Sequence, residues 1–191
     1  MLTGRKSIAL PGTEIRLPPL TAEDLGNIAC AAANGVTGVM QPFVRSAEDL
    51  YTVRSALDAA GGSNIRLFAK IEDMNGVDRL PELMDAADEI VIARGDLGNA
   101  MPLWKLPAVQ KQISASCRVA GKPFMVVTQM LSSMEQKPVP TRAEVSDIFT
   151  AVLDGASSVM VTGETAVGKY PRETIRYLVN TAAEAERFLS M

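Results

Sequence analysis

Five short apolar runs, separated by longer amphipathic stretches, constrain the fold of this chain more than any other feature of its sequence. Each run has the length and apolar character of a strand that is buried on both faces. Because parallel strands need a crossover connection, usually a helix, the alternation predicts consecutive βα units and a parallel sheet. The runs lie at 38–43, 65–71, 89–93, 123–128 and 157–161.

Helix starts in the intervening stretches are marked by capping residues. Three hydroxyl residues stand before helical patterns: Thr21, Ser46 and Thr141. Each is followed three positions later by an acidic residue, which predicts a capping box at each helix start. Further helices are predicted at 76–86, 104–120 and 171–189.

The first twenty residues differ from the rest of the chain. Pro11-Gly12 and the pair Pro18-Pro19 interrupt any regular pattern there. We therefore expect one domain over residues 1–191, with a lead-in segment at 1–20 and βα units at 21–191.

The number of βα units leaves two parallel architectures open. Five units are too few to close an eight-stranded barrel, because strand number, tilt and shear must agree. An open, doubly wound sheet needs no further strands but usually carries a glycine-rich phosphate loop after its first strand. Neither G-x-G-x-x-G nor G-x-x-x-x-G-K-[ST] occurs in the sequence.

Composition excludes several function classes. The chain has no histidine, which removes Ser-His-Asp and Cys-His catalysis and every histidine-ligated metal site. A formal net charge of -3, with no block rich in Lys or Arg, predicts no nucleic-acid partner. The two cysteines lack C-x-x-C spacing, and the apolar runs are too short to span a bilayer. We expect a cytoplasmic protein with no membrane partner.

Polar and ionisable residues follow the apolar runs at the positions where the predicted strands end. In parallel barrels and in open parallel sheets, ligands gather at the carboxyl ends of the strands. These positions are therefore the candidate functional site. They read Lys70-Ile71-Glu72-Asp73, Arg94-Gly95-Asp96, Thr128-Gln129-Met130 and Thr162-Gly163-Glu164-Thr165.

Glu72 and Asp96 follow neighbouring strands of the predicted sheet. Two carboxylates there have the hard oxygen ligands that Mg²⁺ or Mn²⁺ prefers, with positions left open for water or substrate. The structural alternative is that one acid caps a helix and the other pairs with Arg94. The sequence alone leaves both interpretations open.

Lys70, Gly95 and Thr128 supply groups that bind anions. An ammonium at the end of a buried strand needs an anionic partner, so Lys70 is a candidate ligand for a phosphate or an enolate. Gly95 lets a backbone amide approach an anion closely. The Thr128 hydroxyl is a candidate for binding a carboxylate or relaying a proton. Alternatively, Lys70 reaches solvent and Thr128 bonds to local backbone.

The literal strings at these positions, taken in order, resemble the pyruvate kinase family across nearly the whole chain. The resemblance runs from Leu10-Pro11-Gly12 to Gly168-Lys169-Tyr170-Pro171. The densest matches are Lys70-Ile71-Glu72, Ala93-Arg94-Gly95-Asp96-Leu97-Gly98, Gly121-Lys122-Pro123, Thr128-Gln129-Met130-Leu131, Pro140-Thr141-Arg142-Ala143-Glu144, Ala151-Val152-Leu153-Asp154-Gly155 and Gly163-Glu164-Thr165-Ala166. The resemblance implies a (β/α)₈ barrel of the TIM type, of which this chain supplies the fourth to eighth strands. The expected fold is therefore α/β, an incomplete parallel barrel with about five βα units.

The resemblance also implies roles for the strand-end residues. Lys70 and Thr128 are the expected catalytic residues, and Lys70 stabilises the transferring phosphoryl group and the enolate. Glu72 and Asp96 hold the divalent ion, and the substrate also contacts Asp96. Thr128 and the amide of Gly95 bind the substrate carboxylate.

The reaction that the resemblance implies is phosphoryl transfer from phosphoenolpyruvate to ADP, with protonation of the enolate to pyruvate, as in glycolysis. Such a transfer depends on alignment and charge neutralisation, for which a lysine and a divalent ion are suited. Lys6 matches the lysine of the family that contacts the nucleotide, ADP or ATP. The expected cofactor is Mg²⁺ or Mn²⁺.

Parts of the family pattern have no counterpart in this sequence. The first barrel strands, with an arginine and an Asn-Phe-Ser-type segment that bind phosphate and K⁺, are not found, nor are the lid and regulatory domains. We therefore expect no K⁺ site, and we expect a homo-oligomer or a partner chain that completes the sheet. Two other functions stay open: a Mg²⁺-dependent lyase or decarboxylase acting on a pyruvate-like 2-oxo acid, and a non-catalytic module that binds pyruvate or phosphoenolpyruvate.

Overall fold

The computed structural model describes residues 17–191, and its strands form one parallel sheet in which neighbours in sequence are neighbours in space. The order is β1-β2-β3-β4-β5. All five strands coincide with the predicted apolar runs, and four of them are one or two residues shorter. Their bounds are β1 Gly38–Gln41, β2 Arg66–Ile71, β3 Glu89–Ala93, β4 Phe124–Val127 and β5 Ser158–Met160.

The strand register brings the carboxyl ends of the central strands to one edge of the sheet. Lys70 of β2 lies opposite Val91 of β3, and Val91 lies opposite Met125 of β4. The residues that follow these strands therefore leave the sheet side by side, as ligand sites of parallel sheets require.

Nine α-helices connect or flank the strands within residues 17–191. Two 3₁₀ turns, Leu103–Lys105 and Ser132–Glu135, complete the helical structure in this part of the chain. The helices are α1 Ala22–Ala31, α2 Ala47–Ala59, α3 Met74–Asp78, α4 Leu80–Ala86, α5 Arg94–Asn99, α6 Leu106–Val119, α7 Arg142–Leu153, α8 Gly163–Ala166 and α9 Pro171–Leu189.

Two of the three predicted capping boxes are confirmed. Thr21 pairs reciprocally with Asp24, and Thr141 pairs reciprocally with Glu144. The box predicted at Ser46 is wrong, because Asp49 accepts hydrogen bonds from the backbone N–H and the guanidinium of Arg45 instead. Arg45, which directly precedes Ser46, thus binds the carboxylate that the capping-box pattern paired with Ser46.

The predicted helix at 76–86 is divided in the structure. It forms α3 and α4, which meet at Arg79, and Pro81 lies in the first turn of α4. A proline suits that position because its missing N–H has no helical partner there. The segment also begins at Met74, where Asp73 caps α3 by accepting from the N–H of Gly76 at 2.9 Å.

The two faces of the sheet differ in what covers them. Leu67, Ala69 and Ile71 of β2 point into the main core, which the helices share. The alternate residue Phe68 packs on the opposite face in a smaller cluster around Val91. That second cluster contains strand residues alone among those described: Phe68, Val91, Ala93, Met125, Val127 and Met160.

These features decide between the two architectures. A doubly wound sheet carries helices on both faces and reverses its strand order at a switch point. Here the order is sequential, and the second apolar cluster is built by strands. The predicted α/β fold, an incomplete parallel barrel of the TIM type, is confirmed. Within residues 17–191, β1 is paired with β2 alone and β5 with β4 alone.

No helix among the described residues combines the length and the apolar character needed to span a bilayer.

Candidate functional site

Lys70 and Glu72 form an ion pair at the carboxyl end of β2. The Lys70 Nζ lies 2.7 Å from Glu72 Oε1, and the two side chains are 25% and 1% exposed. Side chains alternate along a strand, so residues two apart lie on the same face. The structure thus brings together two of the predicted site residues and gives Lys70 a carboxylate partner.

The second carboxylate oxygen of Glu72 is held by the loop after β1. The backbone N–H of Phe43 donates to Glu72 Oε2 at 2.7 Å. Phe43 has φ 47°, in the left-handed region that non-glycine residues seldom adopt. Neither structural alternative applies to Glu72, which neither caps a helix nor pairs with Arg94. Phe43 was not predicted, because a backbone donor leaves no mark on the side-chain pattern.

Asp96 lies in the first turn of α5, the short helix that starts directly after β3. Its side chain is exposed, and its carboxylate has no hydrogen-bond or ion-pair partner within residues 17–191. The sequence predicted no helix here, because Arg94-Gly95-Asp96-Leu97-Gly98 contains two glycines. The acid is therefore free to bind a ligand at the edge where Glu72 also lies.

Thr128 follows β4 in an unfavourable backbone conformation. Its φ is 81°, and that of Gln129 is 56°. A β-branched residue in the left-handed region is strained, and such strain is commonly found at functional sites. No hydrogen bond from the Thr128 hydroxyl to local backbone occurs in the described part of the chain, so the structural alternative for this residue does not apply.

Gly95 and Thr128, two of the predicted site residues, lie side by side in the structure. A Cβ built on Gly95 would lie 2.9 Å from Thr128 Cγ2. Real Cβ atoms essentially never approach another carbon this closely. A side chain at position 95 would therefore require Thr128 or the start of α5 to shift.

Arg94 connects the loop after β4 to α7. Its Nε and Nη2 donate to the Thr128 carbonyl oxygen at 3.1 and 2.7 Å. Its Nη1 donates to both carboxylate oxygens of Asp147 at 2.9 and 2.6 Å. From the sequence, we considered Arg94 only as a partner for Glu72 or Asp96. Its contacts with Thr128 and Asp147 were not predicted. Asp147 is 53 residues away, so no local spacing points to it.

Glu164 joins the loops after β4 and β5. It is 2% exposed, and its carboxylate accepts from the N–H groups of Thr162 at 2.8 Å and Leu131 at 3.2 Å. A buried carboxylate with backbone donors on both oxygens is a structural tie. Glu164 therefore fixes the loops after β4 and β5 to each other at the edge of the sheet where the site lies.

Glu144 ties α7 to the 3₁₀ turn after β4. Its carboxylate accepts from Ser133 N at 2.7 Å, Ser133 Oγ at 2.6 Å and Thr141 N at 2.7 Å. Burial raises the pKa of this carboxyl, but the hydrogen bonds from Ser133 and Thr141 outweigh burial and hold the pKa below its ordinary value of 4.5. Glu144 is therefore ionised at neutral pH and stabilises the segment that carries Thr128.

The cysteines do not contribute chemistry to this edge. Cys117 is buried within α6, and burial raises the pKa of its thiol to about 11. Such a thiol stays protonated and unreactive at neutral pH. Cys30 is exposed on α1.

The donor set at this edge fits a hard divalent cation. Among residues 17–191 there is no cluster of three or more His, Cys, Asp or Glu side chains. The described residues thus offer Glu72 and Asp96 without a full protein cage. Mg²⁺ is commonly bound through one or two carboxylates, with water or substrate oxygens in its other positions. The predicted nucleotide contact, Lys6, lies outside the described residues.

Comparison with known proteins matches the family model described as "Pyruvate kinase, barrel domain" to residues 1–175. The chain is 43% identical over 185 residues to pyruvate kinase 2 of Saccharomyces cerevisiae, covering 97% of this chain and 36% of that protein. It is equally similar to the pyruvate kinase of Schizosaccharomyces pombe, at 43% over 185 residues with the same coverage. The pyruvate kinase of Clostridium acetobutylicum is 38% identical over 186 residues, covering 97% of this chain and 39% of that protein.

These similarities extend along nearly the whole of this chain but along less than half of each relative. The chain spans 36–39% of the length of the curated relatives that it matches. The resemblance seen in the strand-end motifs is thereby confirmed.

Proposed function

Because this chain belongs to the pyruvate kinase family through its barrel domain, we propose that it is a phosphotransferase module that binds Mg²⁺ and phosphoenolpyruvate or pyruvate. In this proposal it transfers a phosphoryl group between phosphoenolpyruvate and ADP. The observation that supports it most directly is the Lys70–Glu72 ion pair of 2.7 Å at the end of β2. A cation donor and a buried carboxylate at one strand end are the groups that this chemistry needs.

Lys70 is the proposed ligand of the transferring phosphoryl group and of the enolate oxygen. Its side chain is 25% exposed, so the ammonium is open to a ligand on one side and held by Glu72 on the other. Negative charge developing on an oxygen beside it is stabilised more strongly here than in water, because the surroundings are partly desolvated.

Gly95 and Thr128 are the proposed binding groups for the substrate carboxylate. Their contact leaves no room for a side chain at position 95, and Gly95 lies in the first turn of α5, where backbone N–H groups have no partner within the helix. The Thr128 hydroxyl has no hydrogen-bond partner within the described range, which leaves it free to donate to a carboxylate or to pass a proton.

Glu72 and Asp96 are the proposed ligands of the divalent ion. Glu72 is fixed by Lys70 and by the N–H of Phe43, whereas Asp96 is exposed and free to adjust. When bound, Mg²⁺ supplies charge neutralisation for the substrate oxygens. Lys70, Glu72 and Asp96 are then the charged groups that the protein itself contributes around the bound ion and substrate.

The wider assembly belongs to the same proposal. We propose that residues 1–191 act as one domain, that Lys6 contacts ADP or ATP, and that the protein works in the cytoplasm.

The strand pairing leaves one side of β1 and of β5 without a partner within residues 17–191. Unpaired strand edges associate readily, so further strands from a second copy or another chain would complete the sheet.

The proposal is tested with two assays on the same preparation. One couples phosphoenolpyruvate, ADP and Mg²⁺ to pyruvate formation, and the other follows exchange of pyruvate methyl protons with deuterium by NMR. Turnover with ADP that is lost in Lys70→Met is the expected result. Exchange without phosphoryl transfer would instead indicate a lyase or decarboxylase that uses the enolate. If neither occurs while pyruvate still binds, the chain is a binding module.

A further inference from the structure

We propose that Arg94 is a positioning residue, which holds the Thr128 hydroxyl in the site by fixing the backbone of Thr128 to α7. The proposal rests on the function proposed for Thr128 as a ligand of the substrate carboxylate. Neither the family match nor the sequence pattern assigns this role to Arg94.

The backbone at Thr128 needs an external restraint. Thr128 and Gln129 have φ values of 81° and 56°, and neither is a glycine. Conformations of this kind persist only where the surroundings over-determine them. The restraint must therefore act on the peptide groups of these two residues.

The guanidinium of Arg94 supplies that restraint. Two of its N–H groups converge on the Thr128 carbonyl oxygen at 3.1 and 2.7 Å. Its third nitrogen donates to both oxygens of Asp147 at 2.9 and 2.6 Å. The Arg94 side chain is 11% exposed. A rigid planar fork can hold a carbonyl and a carboxylate at once, which a lysine ammonium cannot reproduce.

The restraint links α5, the segment after β4, and α7. Arg94 is the first residue of α5, Thr128 follows β4, and Asp147 lies in the middle of α7. Gly95 of α5 lies beside the Thr128 side chain, since a Cβ added at position 95 would be 2.9 Å from Thr128 Cγ2. The carbonyl of Thr128 is tied to α7 through Arg94, so the position of the hydroxyl depends on the position of α7.

A double-mutant cycle tests whether Arg94 acts through the threonine. The variants are Arg94→Lys, Thr128→Val and the double substitution, and the readout is the Kd of pyruvate in the presence of Mg²⁺. We expect Arg94→Lys to weaken binding about tenfold, corresponding to loss of one charge-assisted hydrogen bond. In the Thr128→Val background the same change should have no further effect, because the hydroxyl that it positions is gone. Equal effects in both backgrounds would overturn the proposal.

Arg54→Lys is the matched control. Arg54 also bridges a backbone carbonyl and an aspartate, with 2.9 Å to the oxygen of Ile65 and 2.9 Å to Asp88. It lies at the opposite end of the sheet, where β2 and β3 begin. The control should fold as the wild type does and bind pyruvate unchanged. If Arg94→Lys fails to fold, Asp147→Asn is used, and it should weaken binding in the same Thr128-dependent way.

A second readout separates this proposal from the proposed function. The backbone chemical shifts and HN–Hα couplings of Thr128 and Gln129 report their left-handed conformation without any ligand. Arg94→Lys should shift both residues toward ordinary backbone conformations, whereas Arg54→Lys should not. If the wild type binds no pyruvate, the proposed function fails, and these spectra alone then test whether Arg94 positions Thr128. Unchanged Thr128 signals in Arg94→Lys would then overturn the positioning role.

Discussion

Glu72 shows how a single buried charge organises the site. Its side chain is 1% exposed, so its ionised form must be stabilised by neighbours. Lys70 contributes a counter-charge at 2.7 Å and Phe43 contributes a backbone N–H at 2.7 Å. Because both carboxylate oxygens are held, Glu72 is oriented before any ligand binds, which reduces the entropy lost on binding.

Lys70→Met should destabilise the fold as well as abolish ligand binding. The substitution leaves a buried carboxylate without its counter-charge, which costs several kcal/mol for fully buried pairs. Lys70 is 25% exposed, so we expect a smaller loss of about 2 kcal/mol in urea denaturation. Arg187→Met, which removes an exposed pair with Glu184, should cost under about 1 kcal/mol. The interpretation fails if adding Glu72→Gln to Lys70→Met does not restore part of the lost stability.

Gly95→Ala should push Thr128 out of place. The added methyl group would lie 2.9 Å from Thr128 Cγ2, so either α5 or the threonine must shift. We expect pyruvate affinity with Mg²⁺ to fall about tenfold and stability to fall by about 1–3 kcal/mol. Gly26→Ala in α1 meets nothing within 4 Å and should instead stabilise the helix by up to about 1 kcal/mol. Unchanged pyruvate binding by Gly95→Ala would show that the close packing of Gly95 against Thr128 is not needed for ligand binding.

Side chains in a regular strand pattern could be predicted from the sequence, whereas partners across the fold could not. Lys70 lies near the end of an apolar run and Glu72 directly after it, two residues apart, so strand alternation places them on one face. In the structure these two side chains form an ion pair. Arg94 and Asp147 are 53 residues apart, and Phe43 acts through its backbone. Such pairings depend on the packing of α7 and on loop conformation, which local patterns do not encode.

At the level of elements, the site is built on the strands with the greatest burial. All five residues of β3 are buried, and β2 and β4 flank it. The predicted apolar runs matched the strands because buried parallel strands need apolar side chains on both faces. The prediction missed α5, since glycines in a short segment are more typical of loops, and it joined α3 to α4 because their apolar periodicity is continuous across Arg79.

Glu144→Gln should make the stability of α7 less dependent on pH. The pKa of Glu144 is lowered on folding, so its stabilising effect is fully present above the ordinary value of 4.5. That effect is lost as pH falls through the lower pKa of the folded state. We therefore expect the variant to be less stable by about 1 kcal/mol at pH 7, with the difference in Tm vanishing in acid.

Thermal unfolding followed from pH 7 down to pH 3 provides the measurement. Glu173→Gln is the control, because Glu173 also lies in the first turn of a helix but is exposed. Its difference from the wild type should stay small throughout. A constant deficit for Glu144→Gln across this range would show that its charge contributes nothing to the cap.

At the scale of the whole molecule, residues 17–191 form a sheet with helices on one face and strand residues clustered on the other. The second cluster includes Phe68, Met125 and Met160, each only partly buried. Residues 17–191 leave β1 and β5 each paired on one side. Apolar surface and open strand edges together favour association.

Sedimentation should therefore detect assembly of the isolated chain. We expect the weight-average mass to exceed 20.4 kDa and to rise with concentration. Met160→Lys would place a charge on the second cluster and should shift the equilibrium toward monomer. A monodisperse monomer at all concentrations would remove the case for strands supplied by a second chain.

We propose that the strand ends form a site in which a divalent ion and a 2-oxo acid bind together. Isothermal titration of the chain with pyruvate, with and without Mg²⁺, tests it most directly. We predict binding that requires Mg²⁺ and is lost in Glu72→Gln and in Asp96→Asn, while Arg54→Lys binds normally. Absence of binding, or binding that is independent of Mg²⁺ and unaffected by either carboxylate substitution, would contradict the claim.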